Sequence, residues 1–335
     1  MHAGLLLILY NLSFWGGRHS AASEAGLLSP QKTILTLTRH HRYTEKESIQ
    51  GACVNPFICF DAVQFTYPPL EGDTDENGNQ IIPKPVFYNF SAELPAGAVH
   101  LTGPNASGKS TFMLLAAGRL HPERGSVRLF GSDTARLSPE QLQEYASFIY
   151  QNMEFETAQP AAELLAYVYA NGFFSGNTPA IDSNTYRSLH EEVISVFELE
   201  PVLAHRLTEL SKGEIQRVLL AFSFLYGSKS IFMDEPLFAL EQYQKERALS
   251  YIRSYAKQKQ VPIYLSMHEL ELTRRFAELV MLFYPDRTID LGTPDEVLTQ
   301  SALEKAYGVP LAMLKDAEKL TRENLKETAA VLSAQ

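Results

Sequence analysis

The sequence predicts an α/β fold with a mainly parallel core sheet flanked by helices and an antiparallel β part. Three observations carry this. Residues 98–102 read as a short apolar strand, and Thr111-Phe112-Met113-Leu114-Leu115-Ala116-Ala117 starts a helix. The segment between them, Gly103-Pro104-Asn105-Ala106-Ser107-Gly108-Lys109-Ser110-Thr111, fits the phosphate-binding pattern G-x-x-x-x-G-K-[ST]. Second, Ser230-Ile231-Phe232-Met233-Asp234-Glu235-Pro236 is an apolar run ending in two carboxylates. A buried parallel strand reads as such a run, and ligands gather at the carboxyl ends of strands in α/β sheets. Third, residues 57–67 alternate as a strand and residues 85–90 continue an antiparallel part.

The phosphate loop has a mechanism. Its glycines let backbone N–H groups close around a polyphosphate, the helix N-terminus adds its dipole, Lys109 can reach the β- and γ-phosphates, and the Ser110 hydroxyl can ligate Mg²⁺. Asp234 is placed to hold Mg²⁺, directly or through water, and Glu235 to polarise the water that attacks the γ-phosphate. Taken alone, the second segment is also what an ordinary strand end followed by a Glu-Pro turn looks like.

The remaining elements follow along the chain. Residues 71–80 form an acidic segment with an Asn-Gly turn signal, read as a solvated loop. Residues 125–131 are a strand between glycines. Ser138-Pro139-Glu140-Gln141 is a helix start with proline at the first helical position. From there to about Glu209 the pattern is mostly helical, interrupted near 172–184. In Leu210-Ser211-Lys212-Gly213-Glu214-Ile215-Gln216-Arg217-Val218, Ser211 and Glu214 have capping-box spacing, so another helix starts there. Residues 263–267 are a strand, and residues 295–335 are amphipathic and helical.

Composition sets limits. With 335 residues the chain can bury a substantial core. Its net charge of −10 argues against a nucleic-acid surface as the main partner. Cys53 and Cys59 have no metal-like arrangement and fit a reducing compartment. The apolar run 4–10, extended by Phe14-Trp15, is broken by Asn11 and Ser13. It is shorter than the roughly 20 residues a membrane-spanning helix needs, and no Lys or Arg precedes it as in a signal peptide. Residues 1–55 are read as a leader of low information.

Five motifs in a fixed order resemble one family: the phosphate loop, Gln151, Leu-Ser-Lys-Gly-Glu at 210–214, Met-Asp-Glu-Pro at 233–236, and His268. Leu-Ser-Lys-Gly-Glu is similar to the L-S-G-G-Q signature of ATP-binding cassette (ABC) ATPases, and the order looks like the nucleotide-binding domain of an ABC transporter. The resemblance implies a P-loop NTPase fold of ABC type, with an inserted α-helical subdomain at about 135–209, within an ATPase domain at 56–298. A helical extension follows at 299–335.

The resemblance also implies roles. Tyr67 matches the aromatic that stacks on adenine. Gln151 matches the glutamine that touches Mg²⁺ and the attacking water, at the surface that meets the membrane partner. His268 matches the histidine that contacts the γ-phosphate. Ser211 and Gly213 would bind the γ-phosphate of ATP held by a second ATPase subunit, which implies a head-to-tail dimer. The implied cofactors are ATP and Mg²⁺. The implied partners are integral membrane transporter subunits and that second ATPase subunit, with no nucleic acid. The implied place is the cytoplasmic side of the cell membrane, held there by the membrane subunits.

The chain departs from the family pattern at Lys212, Glu214 and Ala106, and has Phe238-Ala239-Leu240-Glu241 where Ser-Ala-Leu-Asp is usual. Ala106 is a mild change if its φ is negative. Gly292-Thr293-Pro294-Asp295-Glu296-Val297-Leu298 and Ala306-Tyr307-Gly308-Val309-Pro310 resemble segments of import ATPases. Phe65-Thr66-Tyr67-Pro68 and Tyr150-Gln151-Asn152 resemble the energy-coupling-factor class. Together these features point to an ATP-hydrolysing subunit of an importer, of siderophore/cobalamin or energy-coupling-factor type. A regulatory ATP-binding module and an ABC-type ATPase of DNA repair or chromosome maintenance are the other readings.

Overall fold

The computed structural model describes residues 56–69, 72, 80–151, 153, 157–173 and 183–314. The leader at 1–55, most of the acidic loop at 71–80 and the end of the C-terminal extension lie outside the described residues.

The first part is antiparallel. Strands β1 (Ile58–Phe65) and β2 (Phe87–Leu94) pair, with Ile58 opposite Leu94 and Phe65 opposite Phe87. The next strand, β3 (Ala98–Thr102), belongs to a different sheet and leads through the phosphate loop into α1 (Lys109–Ala116). Strands β4 (Arg124–Leu129) and β5 (Ser132–Asp133) complete a sheet of order β2-β1-β4-β5.

Helix α2 (Pro139–Tyr145) is capped by Ser138, whose side chain accepts from the Gln141 amide. It is followed by strand β6 (Ser147–Ile149), then α3 (Ala161–Ala170), α4 (Ser183–Val196) and α5 (Lys212–Tyr226). Strand β7 (Ile231–Met233), α6 (Gln242–Lys259), β8 (Ile263–Ser266), α7 (Leu270–Phe276), β9 (Leu279–Phe283) and β10 (Ile289–Gly292) complete the core. The short helices α8 (Pro294–Val297) and α9 (Gln300–Tyr307) follow.

The second sheet has the order β10-β9-β3-β8-β7-β6. Its pairs from β9 through β6 are parallel, and only the edge pair of β10 with β9 is antiparallel. This is the parallel core that the apolar runs predict. Every residue of β3, β7 and β8 is buried, because helices or the antiparallel sheet cover both faces. Within the stretch expected to be mostly helical, Ser147–Ile149 is instead an edge strand of this sheet. Three residues are too few to set a period-2 pattern against the neighbouring helical one.

Helix α1 is packed between the sheets. Phe112 is fully buried against Phe60, Phe90 and Phe283. A second core joins α3, α4, α5 and α6 through Leu165, Val193, Phe224 and Tyr251. Burial of such side chains contributes about 1.5–3 kcal/mol each.

Candidate functional site

The phosphate loop departs from β3 at Gly103, whose φ is 138°. A Cβ there would sit 2.5 Å from the Phe283 carbonyl oxygen, so the close passage of β9 demands glycine. Gly108, at φ 104°, caps the start of α1. Lys109 is buried and folds back, its Nζ donating to the carbonyls of Gly103 at 2.8 Å and Pro104 at 2.9 Å. Burial holds its pKa below the ordinary lysine range, and the carboxylates of Glu235 and Asp234 oppose that shift. Ser107 Oγ is buried with no hydrogen-bond partner. An orphaned donor inside a loop of this kind fits an anion in its concavity.

Asn105, Ala106 and Ser110 are exposed along the loop rim. Ala106 lies at φ 57°, in the left-handed region. Alanine is mild there only at negative φ; that condition does not hold, and the residue carries backbone strain. On the far side of the loop, Tyr67 Oη lies 3.0 Å from Thr111 Oγ1, which holds its ring beside the start of α1.

The carboxylates sit where β7 and β8 end side by side. Ser266 Oγ donates to Asp234 Oδ1 at 2.6 Å and accepts from the Glu235 amide at 2.8 Å. This one hydroxyl fixes both acidic residues, and Glu235 itself takes a left-handed φ of 48°. Its carboxylate is then gripped twice. His268 Nε2 lies 2.5 Å from Oε1, and Gln151 Nε2 donates to Oε2 at 2.6 Å. An ionised carboxylate only accepts, so Nε2 of His268 carries the proton in this pair. The His268 hydrogen bond is the main reason that the Glu235 carboxyl is held below its ordinary range; burial opposes it, and the charges of His268 and Lys109 assist.

Gln216, on α5, donates through Nε2 to the Glu235 carbonyl at 3.1 Å and accepts the Ala239 amide at 2.9 Å. It ties the helix begun by Ser211 to the backbone around Glu235. Ser211 caps that helix. Its amide donates to Glu214 Oε2 at 2.8 Å and its hydroxyl donates to the same oxygen at 2.7 Å. These bonds hold the Glu214 carboxyl below its ordinary range. At Gly213 a Cβ would lie 2.7 Å from the Ala239 carbonyl, so glycine permits this close approach.

An open cavity of about 920 Å³ gathers Tyr67, residues 105–111, Gln151, Glu235 and His268. It is also lined by Arg287 and Tyr307. Asp234 stands behind it through Ser266. Ser211 and Gly213 do not line this cavity. Ser110, Gln151 and Asp234 offer only oxygen ligands once Gln151 has turned its amide nitrogen to Glu235, which suits a hard cation such as Mg²⁺.

Sequence inspection assigned no role to Ser266, Gln216 or Arg287. A serine ending a buried apolar strand was a usable signal for Ser266. For Gln216 and Arg287 the partners are distant in sequence, and no local pattern marks them.

Among the described residues no helix is long and apolar enough to cross a membrane. Residues 87–238 match the family model described as ABC transporter. The chain is similar to the hemin import ATP-binding protein HmuV of Escherichia coli O157:H7, at 28% identity over 235 residues, covering 68% of this chain and 88% of that protein. Its fold is similar to the dimeric structure of MJ0796, a bacterial ABC transporter cassette, with TM-score 0.58 and 21% identity, covering 71% of this chain and 98% of that one. The dimeric post-hydrolysis state of the cassette MJ0796 bound to ADP and Pi gives TM-score 0.58 at 20% identity, with the same coverage.

Proposed function

We propose that this chain, whose residues 87–238 match the family model described as ABC transporter, binds and hydrolyses ATP to power a membrane importer. The observation that carries the chemistry is the Glu235 carboxylate, held between Gln151 and His268 at the mouth of the phosphate loop. Import rests on the likeness to a hemin import ATP-binding protein. The same likeness supports partnership with membrane subunits and peripheral attachment at the cytoplasmic side of the membrane, and the dimeric MJ0796 cassettes support pairing with a second cassette.

In this account the adenine stacks on Tyr67. The triphosphate lies in residues 103–111, where Ser107 Oγ gains a partner and Lys109 exchanges the carbonyls of Gly103 and Pro104 for phosphate oxygens. Ser110, Asp234 and Gln151 would hold Mg²⁺, which when bound neutralises charge on the β- and γ-phosphate oxygens. Glu235 orients a water molecule and takes its proton as the water oxygen bonds to the γ-phosphorus. The bond from that phosphorus to the bridging oxygen breaks, and its electron pair leaves on ADP. His268 keeps the carboxylate aimed and follows the γ-phosphate.

Ser211 and Gly213 serve the nucleotide of the second cassette. ATP therefore favours the closed pair, and closure moves the surface near Gln151 against the membrane subunits, a population shift set by differential binding. Capture of tagged Glu235→Gln protein from native membranes with MgATP tests this. Recovery of a polytopic membrane protein is expected; recovery of soluble partners alone would contradict the transport role.

A further inference from the structure

The hairpin between β9 and β10 touches the phosphate loop at two points. The Phe283 carbonyl lies against Gly103, at the loop's entry. Four residues on, Arg287 Nη1 donates to the carbonyl of Ala106 and passes 3.6 Å from the position a Cβ would take on Gly108. The backbone that carries Arg287, itself at a left-handed φ of 70°, is held in place. Its amide donates to the Tyr284 carbonyl at 3.0 Å. The Tyr284 amide returns to the Thr288 carbonyl at 3.0 Å, and Asp286 Oδ1 accepts both the amide and the hydroxyl of Thr288. The turn is thus fixed by its own bonds, on a strand pair in register from Ile289 and Phe283.

The residue it reaches is strained. Ala106 holds a left-handed φ of 57° in an exposed stretch of the loop, a conformation that glycine takes readily and alanine does not. We propose that Arg287 is a positioning residue for nucleotide binding, which pins Ala106 in its left-handed conformation so that the phosphate loop is already shaped before ATP arrives. A loop ordered in advance does not pay that ordering at the moment of binding. The proposal rests on the reading of residues 103–111 as the ATP site.

A double-variant cycle on the full chain separates this role from a direct charge effect on the phosphates. Affinity for a fluorescent ATP analogue with Mg²⁺ is titrated for the wild type and Arg287→Ala, then for the same pair in an Ala106→Gly background. Arg287→Ala is expected to weaken binding about five- to tenfold against Ala106. In the Ala106→Gly background the loss falls below about twofold, because glycine needs no support at this φ. Equal losses in both backgrounds would overturn the proposal and mark Arg287 as a charge acting on the nucleotide. If Arg287→Ala does not fold, Arg287→Met keeps the stem and removes the donor, and the same pair of ratios is expected; no loss against Ala106 overturns the proposal. Lys109→Ala is the control for the site itself. If it binds as the wild type does, the ATP-site reading fails, independently of Arg287.

Discussion

Glu235 and His268 are joined by a 2.5 Å contact between a carboxylate oxygen and an imidazole nitrogen, across the adjacent ends of β7 and β8. The bond does two things. It lowers the affinity of Glu235 for a proton, and with Gln151 on the other oxygen it leaves the carboxylate a single orientation. The left-handed backbone at Glu235 and the Ser266 hydroxyl beneath it fix the other end of the side chain.

Removing the imidazole should therefore move the pH dependence of turnover. The Glu235 carboxyl is held below the usual carboxylate range, so the acid limb of the rate profile is expected below that range. His268→Ala is expected to move that limb upward and to lower the rate about 10²-fold or more. Steady-state phosphate release across pH measures both, and an unmoved limb would separate His268 from the state of Glu235.

Gln216 satisfies two backbone groups on either side of residues 235–239. Gln216→Leu leaves a carbonyl and an amide unmet in a buried place, which costs about 1–3 kcal/mol. A lowered melting temperature together with a reduced kcat is the expected outcome. Turnover at the wild-type rate would show that the tie between α5 and Glu235 is structural only.

Glu214 occupies the hydroxyl of Ser211. On the proposed role of Ser211, a second cassette's phosphate would compete with this carboxylate for the same donor, and the negative charge would oppose it. Glu214→Gln keeps a group able to cap the helix and removes the charge. Turnover is expected to rise about fivefold, roughly 1 kcal/mol of relieved opposition. A fall would mean that the Glu214 carboxylate is itself needed.

His100 lies fully buried in β3 with Nδ1 unpartnered. Burial lowers its pKa from 6.5 to about 3, with the charge of Arg253 assisting. Its folded pKa lies below its unfolded one, so the unfolded chain binds the extra proton between these values. The contribution of this residue to stability is intact above pH 6.5 and is lost as pH falls toward 3. Between pH 6.5 and about 5 the loss is about 2 kcal/mol. Thermal melting of His100→Leu should show a flatter acid decline than the wild type; parallel curves would exclude His100 as the cause.

Much of the site was legible before the fold. The phosphate loop, the carboxylate pair and the capping box at 211–214 are local patterns, each set by chemistry within a few residues. The parallel core could be read because β3, β7 and β8 are continuously buried. The contacts that aim the side chains were not legible. Ser266, Gln216 and Arg287 act on Asp234, Glu235 and Ala106 from elements well separated along the chain. The positive φ of Ala106 is likewise a backbone angle that the residue names do not give. Strand β6 is too short to announce itself among helices.

The most direct test of the account is phosphate release by the Glu235→Gln protein, measured beside MgATP binding by the same preparation. Retained binding with release reduced about 10²-fold or more is the predicted result. Undiminished release would contradict the account by removing Glu235 from the role of proton acceptor.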